Sequence, residues 1–262
     1  MKTVNNHTAL AFFDLDGTLL NAQGKLDQEV IDALHEIRRN GILSFLATGR
    51  GHFELDEIMA QSGITGAVAM NGQYIILEGQ TIYKEAIPKK SIEKLIPLAK
   101  EHDEPIALYD DEGCWVNQMN DKVVKAFAYT QAPTPPLLID KHKNHEVNML
   151  LVLTDQLNQV DYYKSQIPEL NFFMNSPSSI DITNISTNKG TGVQHVKEVL
   201  GFTGETYAFG DGRNDLHLFS AVDHPTAMGN ALPEVKDLAE YITTANTNHG
   251  ILNAFKHWGW IK

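Results

Sequence analysis

The chain has 262 residues, 42% of them apolar and 21% charged, enough to bury the core of one long domain or two small ones. Its 33 acidic and 21 basic residues leave a formal net charge of −12, which speaks against nonspecific binding to nucleic acid or to an anionic membrane, since both need local positive charge. The single cysteine, Cys114, excludes an intrachain disulfide and a thiolate zinc site; the stretch Met1 to His7 lacks the apolar core of a signal peptide, and no apolar run approaches the roughly 18 residues that span a bilayer. A cytoplasmic protein is expected.

Leu10 to Phe13 is an apolar run followed by Asp14-Leu15-Asp16-Gly17-Thr18. It predicts a buried strand with two carboxylates past its C-terminal end, where open α/β sheets place their chemistry. Alternate residues of extended chain share a face, so Asp14 and Asp16 are expected to address one centre. Crowded carboxylates favour a bound divalent cation, and oxygen ligands favour a hard one such as Mg²⁺. After a loop from Leu19 to Leu26, Asp27 is the expected N-cap of a helix carrying Val30, Ile31, Leu34 and Ile37, with Gly41 as its stop. Ile42 to Leu46 then completes a strand–helix–strand unit and ends at Ala47-Thr48-Gly49-Arg50. A helix over Phe53 to Met59, stopped by Gly63, leads to a third strand, Ala67 to Met70, ending at Asn71-Gly72. Tyr74 to Tyr83, broken at Glu78-Gly79, reads as a hairpin.

From Ile87 the pattern changes. Ser91 to His102 has helical periodicity, with a kink or late start expected at Pro97. Ile106 to Tyr109 and Cys114 to Val116 bracket a turn, Asp121 to Tyr129 is helical, and Pro133, Pro135 and Pro136 mark a loop. Val147 to Leu153 is a strand, Leu157 to Ile167 a helix, and Leu170 to Met174 and Ser179 to Thr183 are further strands. His142 and His145 are expected to be exposed in a polar loop, and Cys114 to be a buried small hydrophobe. The first pattern resumes at Asn188-Lys189-Gly190 with a helix stopped by Gly201, then a strand, Thr206 to Phe209, ending at Gly210-Asp211-Gly212-Arg213-Asn214-Asp215. A short helix begins at Leu216; Thr226 to Met228 is a small strand before Gly229-Asn230-Ala231; Val235 to Ala239 and Gly250 to His257 are helices flanking an edge strand at Tyr241 to Thr243. Trp258 and Trp260 are expected to plug a core edge or a subunit contact. The expected fold is α/β, a doubly wound, mostly parallel sheet formed by residues 1–84 and 185–262, with residues 85–184 inserted as an α+β lid.

Four polar clusters converge on one sheet edge: Asp14 with Asp16, Thr48, Lys189, and Asp211 with Asn214 and Asp215. Acidic groups suit a hard cation, while a lysine, a hydroxyl and exposed N–H groups suit a phosphoryl group. Phosphoryl transfer needs mostly positioning and neutralised charge. Asp14 is the expected nucleophile and Asp16 the acid/base; Thr48 and Asn214 would bind phosphate oxygens, Lys189 would offset charge, Asp215 would orient its ammonium and Asp211 would ligate the metal. An Asp-x-Asp alone is most often a turn, and a lysine like Lys189 most often a solvated helix start. Their occurrence in this order, each after an apolar strand or at a helix start, points to a site.

The same clusters resemble the motifs of the haloacid dehalogenase superfamily, and within it the Cof-type phosphatases. Asp14 to Thr18 matches its DxDGT, Thr48 its second motif, Lys189 its third, Gly210 to Asp215 its GDxxND, and Asn71-Gly72 with Met228 to Ala231 its NG and MGNA elements. The resemblance implies a Rossmann-type core with a C2-type cap, and Mg²⁺ held by Asp14, the Asp16 backbone carbonyl and Asp211, leaving the Asp16 side chain for acid/base work. Phosphate contacts are expected from Asp14, Thr48, Gly49, Lys189 and Asn214; Arg50 is read either as a structural salt bridge or as a contact to substrate or cap, and Asn71 and Asn230 as shaping turns before touching substrate. Hydrolysis of small phosphomonoesters, sugar phosphates first, through an aspartyl-phosphate is the implied activity. A phosphotransferase or phosphomutase, a sugar-phosphate sensor and a receiver-like switch are the alternatives. Tyr109, Trp115, Asn117 and Asn148 are candidate cap contacts to a small phosphorylated metabolite, and the protein would be a monomer or homodimer. His217 stands where the family often has methionine.

Overall fold

The computed structural model describes residues 7–130, 132–156 and 158–262. Strand β1 (Ala9–Phe13) is buried at every position. The chain then turns through Leu15–Leu19 and a loop into α1 (Gln28–Arg39), whose buried side is Val30, Ala33, Leu34 and Ile37. Asp27 precedes α1 as expected but does not cap it with its side chain, which accepts instead from Asn21 Nδ2 at 2.7 Å. There follow β2 (Ile42–Ala47), α2 (Asp56–Ser62), β3 (Gly66–Ala69), β4 (Tyr74–Leu77) and β5 (Gln80–Lys84). The helix expected over Phe53 to Met59 is a short turn, His52–Glu54, and then α2, which reaches Gly63 in the left-handed conformation at φ 69°.

Lys84 to Thr187 forms a compact unit of its own, and the residues up to Tyr83 with those from Asn188 form the other. The inserted unit contains α3 (Lys89–Glu101), β6 (Ile106–Tyr109), β7 (Cys114–Val116), α4 (Asp121–Tyr129), α5 (Lys141–Asn144), β8 (Met149–Leu153), α6 (Gln159–Gln166), β9 (Leu170–Ser176) and β10 (Ser179–Asn184). Its strands lie in the order β7-β6-β8-β10-β9 with antiparallel pairings throughout. Ile92, Leu95 and Ala99 of α3 and Tyr163 of α6 pack on Leu108, Leu150, Val152, Ile180 and Ile182.

Several expectations for this unit are corrected. Helix α3 begins at Lys89 and continues through Pro97, which lies on its exposed side, so the hydrogen bond that proline forfeits lies toward water. His142 is buried, because a short helix the sequence pattern did not signal, α5, carries it inward. His145, by contrast, is exposed as expected, by 41%, and sits 4.0 Å from Asp110 and 3.8 Å from Glu112. Cys114 is half-buried rather than buried. The expected start of the α6 helix at Leu157 lies outside the described residues, as do Met1 to Asn6 of the N-terminal stretch.

The core unit resumes with α7 (Lys189–Leu200), β11 (Glu205–Gly210), α8 (Leu216–Phe219), β12 (His224–Ala227), α9 (Pro233–Lys236), β13 (Tyr241–Ile242) and α10 (Gly250–His257). Its sheet runs β13-β12-β11-β1-β2-β3-β4-β5, parallel from β13 to β3 and antiparallel between β3 and β4. Side chains alternate across it. Leu10 and Phe12 of β1 join Val193 and Val196 of α7 and Leu218 of α8 in one cluster, while Phe13 stacks on Phe209 at 4.7 Å and meets Phe255 of α10 edge-on at 5.7 Å. Trp260 is buried against Phe209, and Trp258 donates Nε1–H to Thr226 Oγ1 at 3.0 Å, so both close this side of the core. From β1 the chain builds outward to β2 and β3, then returns to add β11 on the other flank of β1. That reversal opens a crevice at the C-terminal ends of β1 and β11.

Candidate active site

Asp14 follows β1 and Asp211 follows β11, so the switch point brings them together. The backbone ties them: Asp14 N–H donates to the Phe209 carbonyl at 2.9 Å. Lys189 arrives as the first residue of α7, which Asn188 caps by accepting from Thr191 N–H at 3.0 Å while Thr191 Oγ1 accepts from Asn188 N–H at 3.0 Å. Its ammonium is fully buried and donates to Asp14 Oδ1 at 2.6 Å and Asp215 Oδ1 at 2.7 Å. The other oxygen of Asp215 accepts the N–H groups of Asp211 and Gly212 at 2.9 and 3.0 Å. Asp215 is thus fully committed to holding the turn and the lysine.

Asp211 accepts from Thr18 Oγ1 at 3.0 Å and from Asn230 Nδ2 at 3.3 Å, and the same amide donates to the Gly17 carbonyl at 2.9 Å. Gly17 has a φ of 83°, and a β-carbon there would lie 2.3 Å from Asp211 Oδ2, so only glycine allows this approach. The contributions of Thr18 and Asn230 were not legible as site contacts, although both lie inside recognised clusters.

Oxygens of Asp14, Asp211 and Asp215 all lie within 4.8 Å of one another. Burial, opposed by Lys189 and assisted by the neighbouring Asp215 and Asp211 charges, raises the pKa of Asp14 well above the ordinary carboxylate value. Burial and the Asp215 charge push Asp211 up to about 6. Three carboxylates face one ammonium here, and an added divalent cation would balance them. Oxygen donors of this kind fit a hard cation.

Asp16 is not part of that cluster, contrary to the alternation expected of extended chain. The chain leaves β1 in the turn Leu15–Leu19, and the Asp16 side chain lies beside the cluster, 63% exposed, near enough for its charge to act on Asp211. Arg50 receives it, with Nη2 2.6 Å from Oδ1 and Nε 3.0 Å from Oδ2. Burial acts against the Arg50 charge, but the hydrogen bond and charge of Asp16 more than reverse this and raise its pKa. Thr48, buried at the end of β2, accepts the Arg50 N–H at 3.1 Å; Gly49 lies between them. Asn71, left-handed at φ 52°, donates its N–H to the Thr48 carbonyl at 3.0 Å. Asn214 is half-buried in the turn after β11.

In the inserted unit, Asn117 Oδ1 accepts from Ile106 N–H at 2.8 Å and Asn148 Nδ2 donates to the Glu85 carbonyl at 2.8 Å. Tyr109 is buried, and the Trp115 ring carries the Lys141 ammonium 3.5 Å from its centroid. Lys141 also pairs with the buried Asp110 at 3.0 Å and with Glu112 at 2.7 Å. Asn117, Asn148 and Trp115 therefore have structural tasks inside their own unit.

The fold and this centre define a class: a doubly wound α/β protein with clustered carboxylates and a buried lysine at its switch point. The model of the haloacid dehalogenase-like hydrolases matches residues 11–255, and the chain belongs to that family, as an enzyme of its phosphatase class. It is 30% identical over 255 residues to the putative phosphatase YkrA of Bacillus subtilis, covering 97% of this chain and 98% of that one. Over 273 residues it is 25% identical to the HMP-PP phosphatase of Yersinia enterocolitica, with 95% and 94% covered. Among solved structures, the phosphatase BT1666 of Bacteroides thetaiotaomicron superposes with a TM-score of 0.88 at 30% identity, over 100% of this chain and 98% of that one. The subclass IIB sugar phosphatase BT4131 does so with a TM-score of 0.88 at 28% identity, over 97% and 100%.

Proposed function

We propose that the protein hydrolyses small phosphomonoesters, sugar phosphates first among them, through an aspartyl-phosphate on Asp14, with Mg²⁺ as its resident cation. The observation that carries this reading is the buried Lys189 ammonium joined to Asp14 and Asp215 at the switch point. It holds the Asp14 carboxylate in one orientation through Oδ1 and offsets its charge in a water-poor setting. Held by the Asp14 and Asp211 carboxylates and the Asp16 backbone carbonyl, Mg²⁺ would supply positive charge against the crowded acids and the phosphoryl oxygens.

An Asp14 oxygen attacks phosphorus, the ester P–O bond breaks, and the Asp16 carboxyl gives its proton to the leaving oxygen. Asp16 then takes a proton from the water that attacks the aspartyl-phosphate, releasing inorganic phosphate and restoring both carboxyl groups. Thr48, Gly49 and Asn214 bind the phosphoryl oxygens. The sugar phosphatase BT4131 supports sugar phosphates as the first class to try, and the HMP-PP phosphatases support a panel that extends beyond them.

The test is phosphate release from sugar phosphates, nucleotides, FMN and pyridoxal phosphate, with Mg²⁺ and with EDTA, for the wild type and Asp14→Asn. Mg²⁺-dependent release by the wild type alone is the expected result. No release from any ester, or equal turnover by Asp14→Asn, would overturn the reading.

A further inference from the structure

We infer that Arg50 is the positioning residue of Asp16, setting the orientation in which its carboxyl reaches the leaving oxygen; this rests on the aspartyl-phosphate reading above. The Asp16 side chain is 63% exposed and stands on a turn rather than on a helix or strand. Left alone, such a side chain samples several rotamers. The hydrogen bonds to its carboxylate come from Arg50, one to each oxygen, at 2.6 and 3.0 Å. A planar guanidinium held at two points fixes the carboxylate in position and in plane, which an ammonium does not.

Arg50 is itself well anchored. Its side chain is 23% exposed, its N–H donates to Thr48 Oγ1 at 3.1 Å and its carbonyl accepts from Met70 N–H at 3.0 Å. The Thr48-Gly49-Arg50 segment, placed by the end of β2, therefore does two things: it presents the Thr48 hydroxyl and it aims an acid that belongs to a different strand end. When one Asp16 oxygen turns to the leaving oxygen, the remaining Arg50 contact keeps the side chain in register. Arg50 exchanges no proton in this arrangement. It acts through Asp16.

The consequence is a dependence on the leaving group. A sugar alkoxide is a poor leaving group and needs the proton; 4-nitrophenolate leaves without it. Arg50→Ala is expected to lower kcat/KM about 100-fold for a hexose 6-phosphate, within the range for loss of a general acid, and less than about 5-fold for 4-nitrophenyl phosphate. Arg50→Lys, which keeps the charge but loses the fork, should show the same selective loss, and millimolar guanidinium chloride should restore part of the Arg50→Ala activity. Combined with Asp16→Asn, Arg50→Ala should cost nothing further on the hexose phosphate, because both changes remove one function. Equal losses on the two substrates, a rise in KM shared by both, or full activity of Arg50→Lys would overturn the inference and assign Arg50 to phosphoryl binding or to the fold. A wild type that hydrolyses neither ester in Mg²⁺ would instead overturn the phosphatase reading, and this inference with it.

Discussion

Lys189 is the residue on which the centre turns, because it is a single buried cation between two buried carboxylates. Replacing it with methionine leaves Asp14 and Asp215 facing each other uncompensated, and such a break costs about 3 kcal/mol. Lys189→Met is expected to lower the urea midpoint accordingly and to abolish turnover, and an unchanged midpoint would contradict the pairing. His224 makes a smaller, pH-dependent contribution at the far end of the sheet. Burial lowers its pKa, but hydrogen bonds to Glu240 at 2.7 Å and Glu205 at 3.0 Å, with their charges, raise it above the usual value. A histidine with a raised folded pKa stabilises the protein fully below the unfolded value of about 6.5 and loses this contribution as pH rises through the folded one. With both glutamates largely exposed, the effect is under about 1 kcal/mol. His224→Gln should therefore flatten the fall in urea midpoint between about pH 6 and 8, relative to wild type.

Among the elements, α7 and α8 carry the packing demand that bears on the site. A β-carbon on Gly190 would lie 2.3 Å from the His217 carbonyl oxygen, which is backbone and cannot move aside cheaply. The residue that departs from the family pattern, His217, is exposed, and it is its main chain that bears on the site. Gly190→Ala is expected to push the first turn of α7 away from α8 and Lys189 away from Asp14. Overpacking of this kind costs about 1–3 kcal/mol, and a shift of the lysine by even a fraction of an ångström should reduce kcat/KM at least about tenfold. Thermal unfolding together with steady-state rates checks both. A variant that loses stability but keeps full activity would show that α7 relaxes without moving Lys189.

Across the whole molecule, the acids crowded at the switch point make the metal-free protein less stable than its fold alone would be. Asp211, at about 6, holds a proton more firmly in the folded than in the unfolded chain. On this account, metal-free stability should fall as pH rises from about 4 to 6, the reverse of a salt-bridged carboxylate, and the raised pKa of Asp14 acts in the same direction. Mg²⁺ should raise the melting temperature strongly at pH 7.5 and weakly at pH 5, where the ion must displace that proton. Asp211→Asn should raise the metal-free melting temperature at pH 7.5 and remove the response to Mg²⁺. Scanning calorimetry with and without EDTA at the two pH values reads all three outcomes, and an equal Mg²⁺ response at both would refute the account. Because the two units have separate cores, hydrogen exchange should place the added protection in the residues up to Tyr83 and from Asn188.

What the sequence by itself determined are the features that one stretch of chain can encode: apolar runs that become β1, β2, β3 and β11, the turns at their C-terminal ends, and the order in which their polar residues reach one edge. The fold class and the family followed from these, because a parallel sheet places every such turn on the same side. Only the tertiary structure decided which side chains meet. Asp14 and Lys189 lie 175 residues apart, and Asp16 and Arg50 34 apart; no local period relates them. The expectation that Asp14 and Asp16 share a face failed because the extended chain ends with β1 and a turn, Leu15–Leu19, begins directly after Asp14. His142 was misread as exposed for a similar reason: four residues of helix are too few to show a period, and burial there is imposed by what packs around α5.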